Sequence, residues 1–129
     1  MKRIALILIS LAVSTSVLAA DARKIDFTRP ILDGAGMPMH ETDDKSPTAT
    51  VGFVASFALY RAAVASDPRA PAPDAVKVAK RAILALKIAT ATDAELTAEE
   101  VSEIKSVIGI FPPLYVLRTL QAIDPAAVK

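Results

Sequence analysis

The chain has 129 residues, 53% of them hydrophobic, with 15 basic and 14 acidic side chains, one histidine and no cysteine. The near-zero net charge argues against a nucleic-acid partner, because such proteins carry a clustered excess of lysine and arginine. The lack of cysteine excludes disulfides, thiol catalysis and a lipidated cysteine, and a single histidine is too few for an ordinary zinc site.

The first twenty residues have the composition of a secretory signal peptide. A basic pair opens the chain, residues 4–13 are apolar and residues 14–20 are mostly small,. An apolar core of this length is shorter than the roughly 20 residues that cross a bilayer, so a retained signal anchor is the weaker alternative. We predict cleavage after Ala19 or Ala20 and a periplasmic or secreted location. Residues 21–129 then form one small helical domain, with 13 basic against 14 acidic residues,.

A short β-hairpin is predicted at the start of the mature chain. Ile25, Phe27 and Ile31 would lie on one face of an extended segment, and the DGAG sequence at residues 33–36 predicts a turn,. The alternating pattern resumes after the turn. A proline in each segment restricts both to short edge strands, which need helices to pack against.

Four helices are predicted after the hairpin, at residues 47–65, 74–89, 98–109 and 113–123. In the first, Ser46 is the expected N-cap and Pro47 the first helical residue. This helix is apolar nearly all round, which is typical of a buried or membrane helix, and its uncharged stretch is too short and polar to span a bilayer comfortably. Gly52 is expected to allow another backbone to approach closely.

The second helix follows a proline-rich extended connection at residues 67–74 and is expected to be capped by Asp74. At 100° per residue its basic side chains lie on one arc, interrupted by two aliphatic residues that a neighbour or a partner must cover. This arc is the candidate interaction surface, made of Lys77, Lys80, Arg81, Leu84, Lys87 and Ile88. The predicted inward face is Ala75, Ala79, Ala82, Ile83 and Leu86. The arc is either a contact for an acidic protein or anionic lipid, or an ordinary solvated face.

The third and fourth helices have clear start signals. Thr97 and Glu100 form a capping-box pattern, and Leu96 and Val101 stand where a hydrophobic staple would place them,. The consecutive prolines at residues 112–113 predict a rigid corner that starts the last helix. A short tail, residues 124–129, ends the chain.

No catalytic or cofactor site is predicted. The single histidine, His40, lies in a polar joint where a solvated role is the ordinary one,. Glu99 and Glu103 share a helix face, but no apolar neighbours in sequence suggest a raised pKa. Neither acidic stretch places oxygen ligands at the positions of a calcium loop, and no glycine-rich phosphate loop is present. We therefore expect no enzymatic activity, no metal and no organic cofactor.

The order of several short motifs resembles a group of small uncharacterised proteins encoded by tailed phages and prophages. The motifs are KIDFTRP (24–30), DGAGMP (33–38), TVG (50–52), ALKI (85–88), LTAEE (96–100), IKSVIG (104–109) and PPL (112–114). The resemblance covers about residues 24–123 and implies no assigned chemistry. The export signal is a departure from that group, and it argues against a role inside a capsid or tail assembly.

Two functional hypotheses follow. The first is a non-catalytic exported interaction module that binds an unknown exported or envelope protein and has a phage-derived origin. The second is a peripheral membrane-associated helical envelope protein, in which the first helix and the basic arc contact the bilayer. A third interpretation is that the leader is a recent addition and that the domain has no specialised envelope role.

Overall fold

The computed structural model describes residues 22–64, 69, 71–72 and 74–129. In these residues it has a mainly α fold, which confirms the predicted class: β1 (Arg23–Asp26), α1 (Val51–Val64), α2 (Ala75–Ala89), β2 (Asp93–Leu96), α3 (Ala98–Val107) and α4 (Pro113–Ile123). Short 3₁₀ helices follow α3 (Ile108–Ile110) and α4 (Pro125–Val128). The predicted signal peptide, its cleavage site at Ala19 or Ala20 and part of the proline-rich connection lie outside the described residues.

The two strands form a long-range antiparallel pair that the sequence did not predict. Arg23 lies opposite Leu96, and Ile25 lies opposite Ala94. Ile25 and Leu96 are buried in the core, while the alternate strand residues face solvent. The pairing therefore ties the start of the domain to the segment that leads into α3.

The predicted turn at residues 33–36 forms, and it belongs to a larger unit of three short extended segments. These segments contain residues 29–32, 37–41 and 47–51 and pair through isolated bridges, Leu32 with Pro38, His40 with Thr48, and Pro30 with Thr50. At the centre, the N–H of Met39 donates to the carbonyl of Ile31 (2.8 Å), that of Ala49 to Met39 (2.8 Å), and that of Ile31 to Ala49 (2.9 Å). Each segment thus pairs with both others in a closed ring, which we call the three-segment unit. Closure satisfies buried backbone groups that an isolated hairpin would leave unpaired.

This unit explains why the predicted start of the first helix was wrong. Residues 47–50 are extended because Ala49 exchanges hydrogen bonds with the other two segments. Ser46 does not cap the helix, and its hydroxyl instead accepts from the N–H groups of Thr42 (3.0 Å) and Asp43 (3.1 Å). Thr50 is the residue whose hydroxyl accepts from the Phe53 N–H (3.1 Å) at the start of α1,.

A close backbone contact joins α1 to the N-terminal segment at Gly52, where the sequence predicted one. The Gly52 N–H donates to the Phe27 carbonyl at 2.9 Å. A Cβ at position 52 would lie 3.0 Å from both the Cβ and the carbonyl oxygen of Phe27. Glycine is therefore the residue that fits this crossing without displacing Phe27, which is itself buried.

The last helix holds the three-segment unit in place. The Arg118 guanidinium donates to the carbonyls of Leu32 (3.0 Å) and Asp33 (3.3 Å), and the Tyr115 hydroxyl donates to the carbonyl of His40 (2.7 Å). The helix also carries Thr119, which is fully buried and whose hydroxyl has no hydrogen-bond partner among the described residues.

Candidate interaction site on the second helix

Helix α2 begins where the sequence predicted. The Asp74 side chain accepts from the Val76 N–H at 2.9 Å, which satisfies one of the unpaired donors of the first turn,. From there α2 runs for 15 residues and packs along α1, and the ion pairs of Arg81 and Lys87 link it to α3. The candidate interaction surface is therefore placed on a regular, capped helix.

Half of the basic side chains on the candidate surface are already paired within the chain. The Lys87 ammonium lies 2.9 Å from a Glu100 carboxylate oxygen and donates to the Glu95 carbonyl at 3.0 Å. The Arg81 guanidinium forms an ion pair with Glu103, and both side chains are partly buried. The acidic start of α3 thus neutralises the C-terminal part of the basic arc.

Two further members of the predicted surface do not face solvent. Leu84 and Ile88 belong to the buried core, with 6% and 1% of their surface exposed. The expectation that a neighbour must cover them is met by the core of the same chain. The prediction that they contribute to an exposed interaction surface was wrong, because the face of α2 that bears them is turned inward.

The predicted inward face of α2 was also wrong. Ile83 and Leu86 are each 66% exposed, and Val76 is 62% exposed. Together with Ala79 they follow one line along α2 at spacings of three, four and three residues, which places them on one side of a helix,. We call this line the outer stripe. Leu84 and Ile88 lie on one half of the helix, and the outer stripe lies on the other. Because the core buries Leu84 and Ile88, the outer stripe faces solvent.

A groove of 570 Å³ lies between α2 and the first half of α3. Its walls combine the aliphatic Ile83 with charged side chains of both signs. Among the described residues, Lys77 and Lys80 on the α2 side and Glu99 on the α3 side form no ion pair. The groove and the adjoining outer stripe therefore offer apolar surface flanked by free positive and negative charges.

The residues considered for catalysis were His40, Glu99 and Glu103. The Nδ1 atom of His40 lies 2.8 Å from the Ser46 carbonyl, inside the three-segment unit. Glu103 is committed to its ion pair with Arg81, while Glu99 faces the groove. Within the described ranges, no three acidic or histidine side chains stand together as a possible metal site.

Two aspartates with lowered pKa values lie away from α2. The hydroxyl of Thr28 (2.6 Å) and its backbone N–H (2.9 Å) donate to Asp26 and hold its pKa below the usual value. A hydrogen bond from Lys105 (2.8 Å), with that lysine's charge, lowers the pKa of Asp124. Both effects stabilise the folded chain and suggest no proton-transfer role.

Comparison with protein-family models, curated proteins and solved structures finds no match to this chain. Of the helices in the described residues, none is both long and apolar enough to cross a membrane.

Proposed function

We propose that the protein is a non-catalytic exported helical module that binds another protein through the outer stripe and groove of α2. The observation that carries the proposal is the exposure of Val76, Ile83 and Leu86 on a helix whose opposite side already completes the core. Isolated exposed apolar residues are ordinary, but a line of them at helical spacing matches the way a helix docks on another helix.

The energetic reason is the hydrophobic effect. Each large side chain of the outer stripe leaves about two-thirds of its surface in water. Covering these side chains contributes about 1–2 kcal/mol each, since complete burial of such a side chain is worth about 1.5–3 kcal/mol. The free charges of Lys77, Lys80 and Glu99 that line the groove would orient the partner and affect its rate of association more than its affinity,.

The alternative function, peripheral membrane association, has less support on α2. Arg81 and Lys87 are paired with glutamates, so two free cations remain on the arc of the described helix. Binding to anionic lipid gains about 1 kcal/mol per cation near the surface, and the nearby glutamates oppose it. The exposed side chains of Phe57 and Tyr60 on α1 are the feature that favours this alternative,.

The remaining parts of the proposal come from the sequence. Export is inferred from the signal-like residues 1–20, and a phage-derived origin from the motif order between residues 24 and 123,. An exported or envelope protein is then the expected partner class.

Photocrosslinking in cells tests the proposed surface. A benzoylphenylalanine at position 83 is expected to give a discrete crosslinked product in the osmotic-shock fraction, whereas the same probe at the exposed loop residue Lys45 is expected to give none. Equal labelling at both positions, or none at either, would contradict the proposal. Retention of the processed protein with membranes, together with flotation on anionic vesicles, would favour the membrane alternative.

A further inference from the structure

We infer that a second pocket, between the turn at residues 33–36 and α4, binds a small anionic ligand through a carboxylate or phosphate group. This pocket has a volume of about 400 Å³, which is within the size range of small-molecule sites,. Arg29 and the turn form one wall, and Arg118 and Gln121 of α4 form the other. The pocket involves no residue of α2, so the inference is independent of the proposed function.

Two positive charges line the pocket without an ion-pair partner among the described residues. Arg118 is half-buried and Arg29 is exposed, and neither forms a salt bridge in the described ranges. Hydrogen bonds from Thr28 and, to a smaller extent, the charge of Arg29 lower the pKa of Asp26, which therefore lies within electrostatic reach of Arg29 but outside ion-pair distance. Since a partly buried cation is stabilised by an opposite charge, these guanidiniums favour an anion in the pocket.

The guanidinium of Arg118 is held in position before a ligand binds. It donates to the carbonyls of Leu32 (3.0 Å) and Asp33 (3.3 Å) and to the side-chain oxygen of Gln121 (3.0 Å). A guanidinium has five N–H groups, so two are left to donate to a ligand. The same contact orients the Gln121 amide, whose oxygen accepts and whose NH₂ group stays available as a donor. Because these side chains are already ordered, ligand binding costs them little conformational entropy.

The carboxylate of Asp33 also lines the pocket, but the turn compensates its charge. Its Oδ1 atom accepts from the N–H groups of Ala35 and Met37, both at 2.8 Å. Two guanidiniums against this one carboxylate leave one net positive charge on the pocket walls. Guanidinium groups match the paired oxygens of a carboxylate or a phosphate, which is the reason for naming this class of ligand.

The size and lining of the pocket restrict the rest of the ligand. None of the described residues that line it is aromatic, and its apolar members are few and small apart from Leu32. Such walls offer no stacking surface for a nucleobase and no long apolar channel for a lipid chain. The expected ligand is therefore a small polar molecule that carries a carboxylate or a phosphate group.

An NMR titration of the purified chain with inorganic phosphate and, separately, with succinate tests this site at constant ionic strength. The backbone amides of Gly34 and Gly36 and the side-chain N–H of Arg118 are expected to shift and to saturate at millimolar concentration,. The amide of Gly109, which does not line the pocket, serves as the internal reference. Stronger binding of phosphate would support a phosphorylated ligand, and stronger binding of succinate a carboxylate ligand.

Arg29→Gln is the variant that tests the assigned charge. Its side chain is exposed, and its backbone carbonyl still accepts from the Val51 N–H (2.9 Å), so the fold is expected to persist. Loss of one charge-assisted hydrogen bond is expected to weaken binding of the preferred probe about tenfold. Arg61→Gln removes the same charge from an exposed position on α1 and is expected to leave the affinity unchanged.

Three results would overturn the anion site. These are no saturable shift with either probe, equal weakening by Arg29→Gln and Arg61→Gln, and shifts as large at Gly109 as at Gly34. The last two would show attraction of anions to the whole molecule rather than to this pocket. Because the titration does not involve α2, failure of the anion site leaves the proposed function standing, and a negative crosslinking result at position 83 leaves the anion site standing.

Discussion

Replacing Gly52 by alanine is expected to destabilise the fold, although alanine is the better helix former. The added Cβ would lie 3.0 Å from both the Cβ and the carbonyl oxygen of Phe27, closer than ordinary van der Waals contact. Relieving that overlap requires movement of the buried Phe27 and lengthens the 2.9 Å hydrogen bond that the Gly52 N–H donates to it. Overpacking of this kind costs about 1–3 kcal/mol.

The helix propensity of alanine offsets part of that cost, by about 1 kcal/mol. The expected net effect of Gly52→Ala is a loss of about 0–2 kcal/mol in the free energy of unfolding, measured by urea denaturation followed by circular dichroism. A matched control is Gly34→Ala, because a Cβ at that position has nothing within 4 Å and its backbone is outside the left-handed region. The control is expected to change stability little or raise it by about 0.4–1 kcal/mol. If Gly52→Ala were more stable than the wild type by the about 1 kcal/mol that helix propensity alone provides, the proposed close approach would be refuted.

Three further experiments test the packing and charge contacts. Thr119→Val is expected to raise the free energy of unfolding by about 1 kcal/mol in urea denaturation, because it replaces a buried hydroxyl that has no partner in the described residues by a methyl group of similar size,. A double-mutant cycle of Arg81→Met and Glu103→Gln is expected to show a coupling energy of about 1 kcal/mol, since the pair is partly buried but still reached by solvent,. Asp124→Asn is expected to reduce the loss of stability on acidification. The lowered pKa of Asp124 means that its contribution is fully present above the usual aspartate value of about 3.9 and is lost as the pH falls below it,.

Each of these has its own control and contrary outcome. Thr119→Ser keeps the hydroxyl and removes the methyl group, so it should destabilise; stabilisation by serine would show that the hydroxyl is not the unfavourable group. A coupling energy of zero would mean that Arg81 and Glu103 act independently. For the acid series, Asp44→Asn removes an exposed carboxylate without a hydrogen bond or ion pair in the described part of the chain, and unfolding free energies are compared at pH 5 and about pH 3,. Equal acid sensitivity of Asp124→Asn and the wild type would contradict the assigned role of Lys105.

Local signals in the sequence were sufficient to predict the first residue of the helices that begin with a rigid or capping residue. The consecutive prolines at 112–113 start α4 at Pro113, as predicted, because proline fits the first turn and cannot continue the preceding helix,. Thr97 caps α3 by accepting from the Glu100 N–H at 3.2 Å. The Glu100 side chain pairs with Lys87 instead of returning to the Thr97 N–H, and this ion pair depends on the positions of α2 and α3 relative to each other.

Long-range pairing decided the features that the sequence did not predict. Ser46 and Pro47 have the local pattern of a helix start, but backbone hydrogen bonds to residues distant in the chain keep the next residues extended. The pairing of β1 with β2 likewise joins segments about 70 residues apart,.

The orientation of α2 was ambiguous for a related reason. This helix has one apolar side with Leu84 and Ile88 and another with Ile83 and Leu86, so periodicity alone could not select the buried one,. The structure buries the side whose basic neighbours can pair with the glutamates of α3. The outer stripe, which carries the proposed function, is the side that remains exposed to solvent.

Export is the premise on which the proposed partner class depends, and intact-mass spectrometry of the protein in an osmotic-shock fraction tests it most directly. The signal-like residues predict a mature chain that begins at Ala20 or Asp21, released without membranes,. Such a mass would support an exported module that meets its partner in the envelope. An uncleaved chain confined to cytosol or membranes would contradict it.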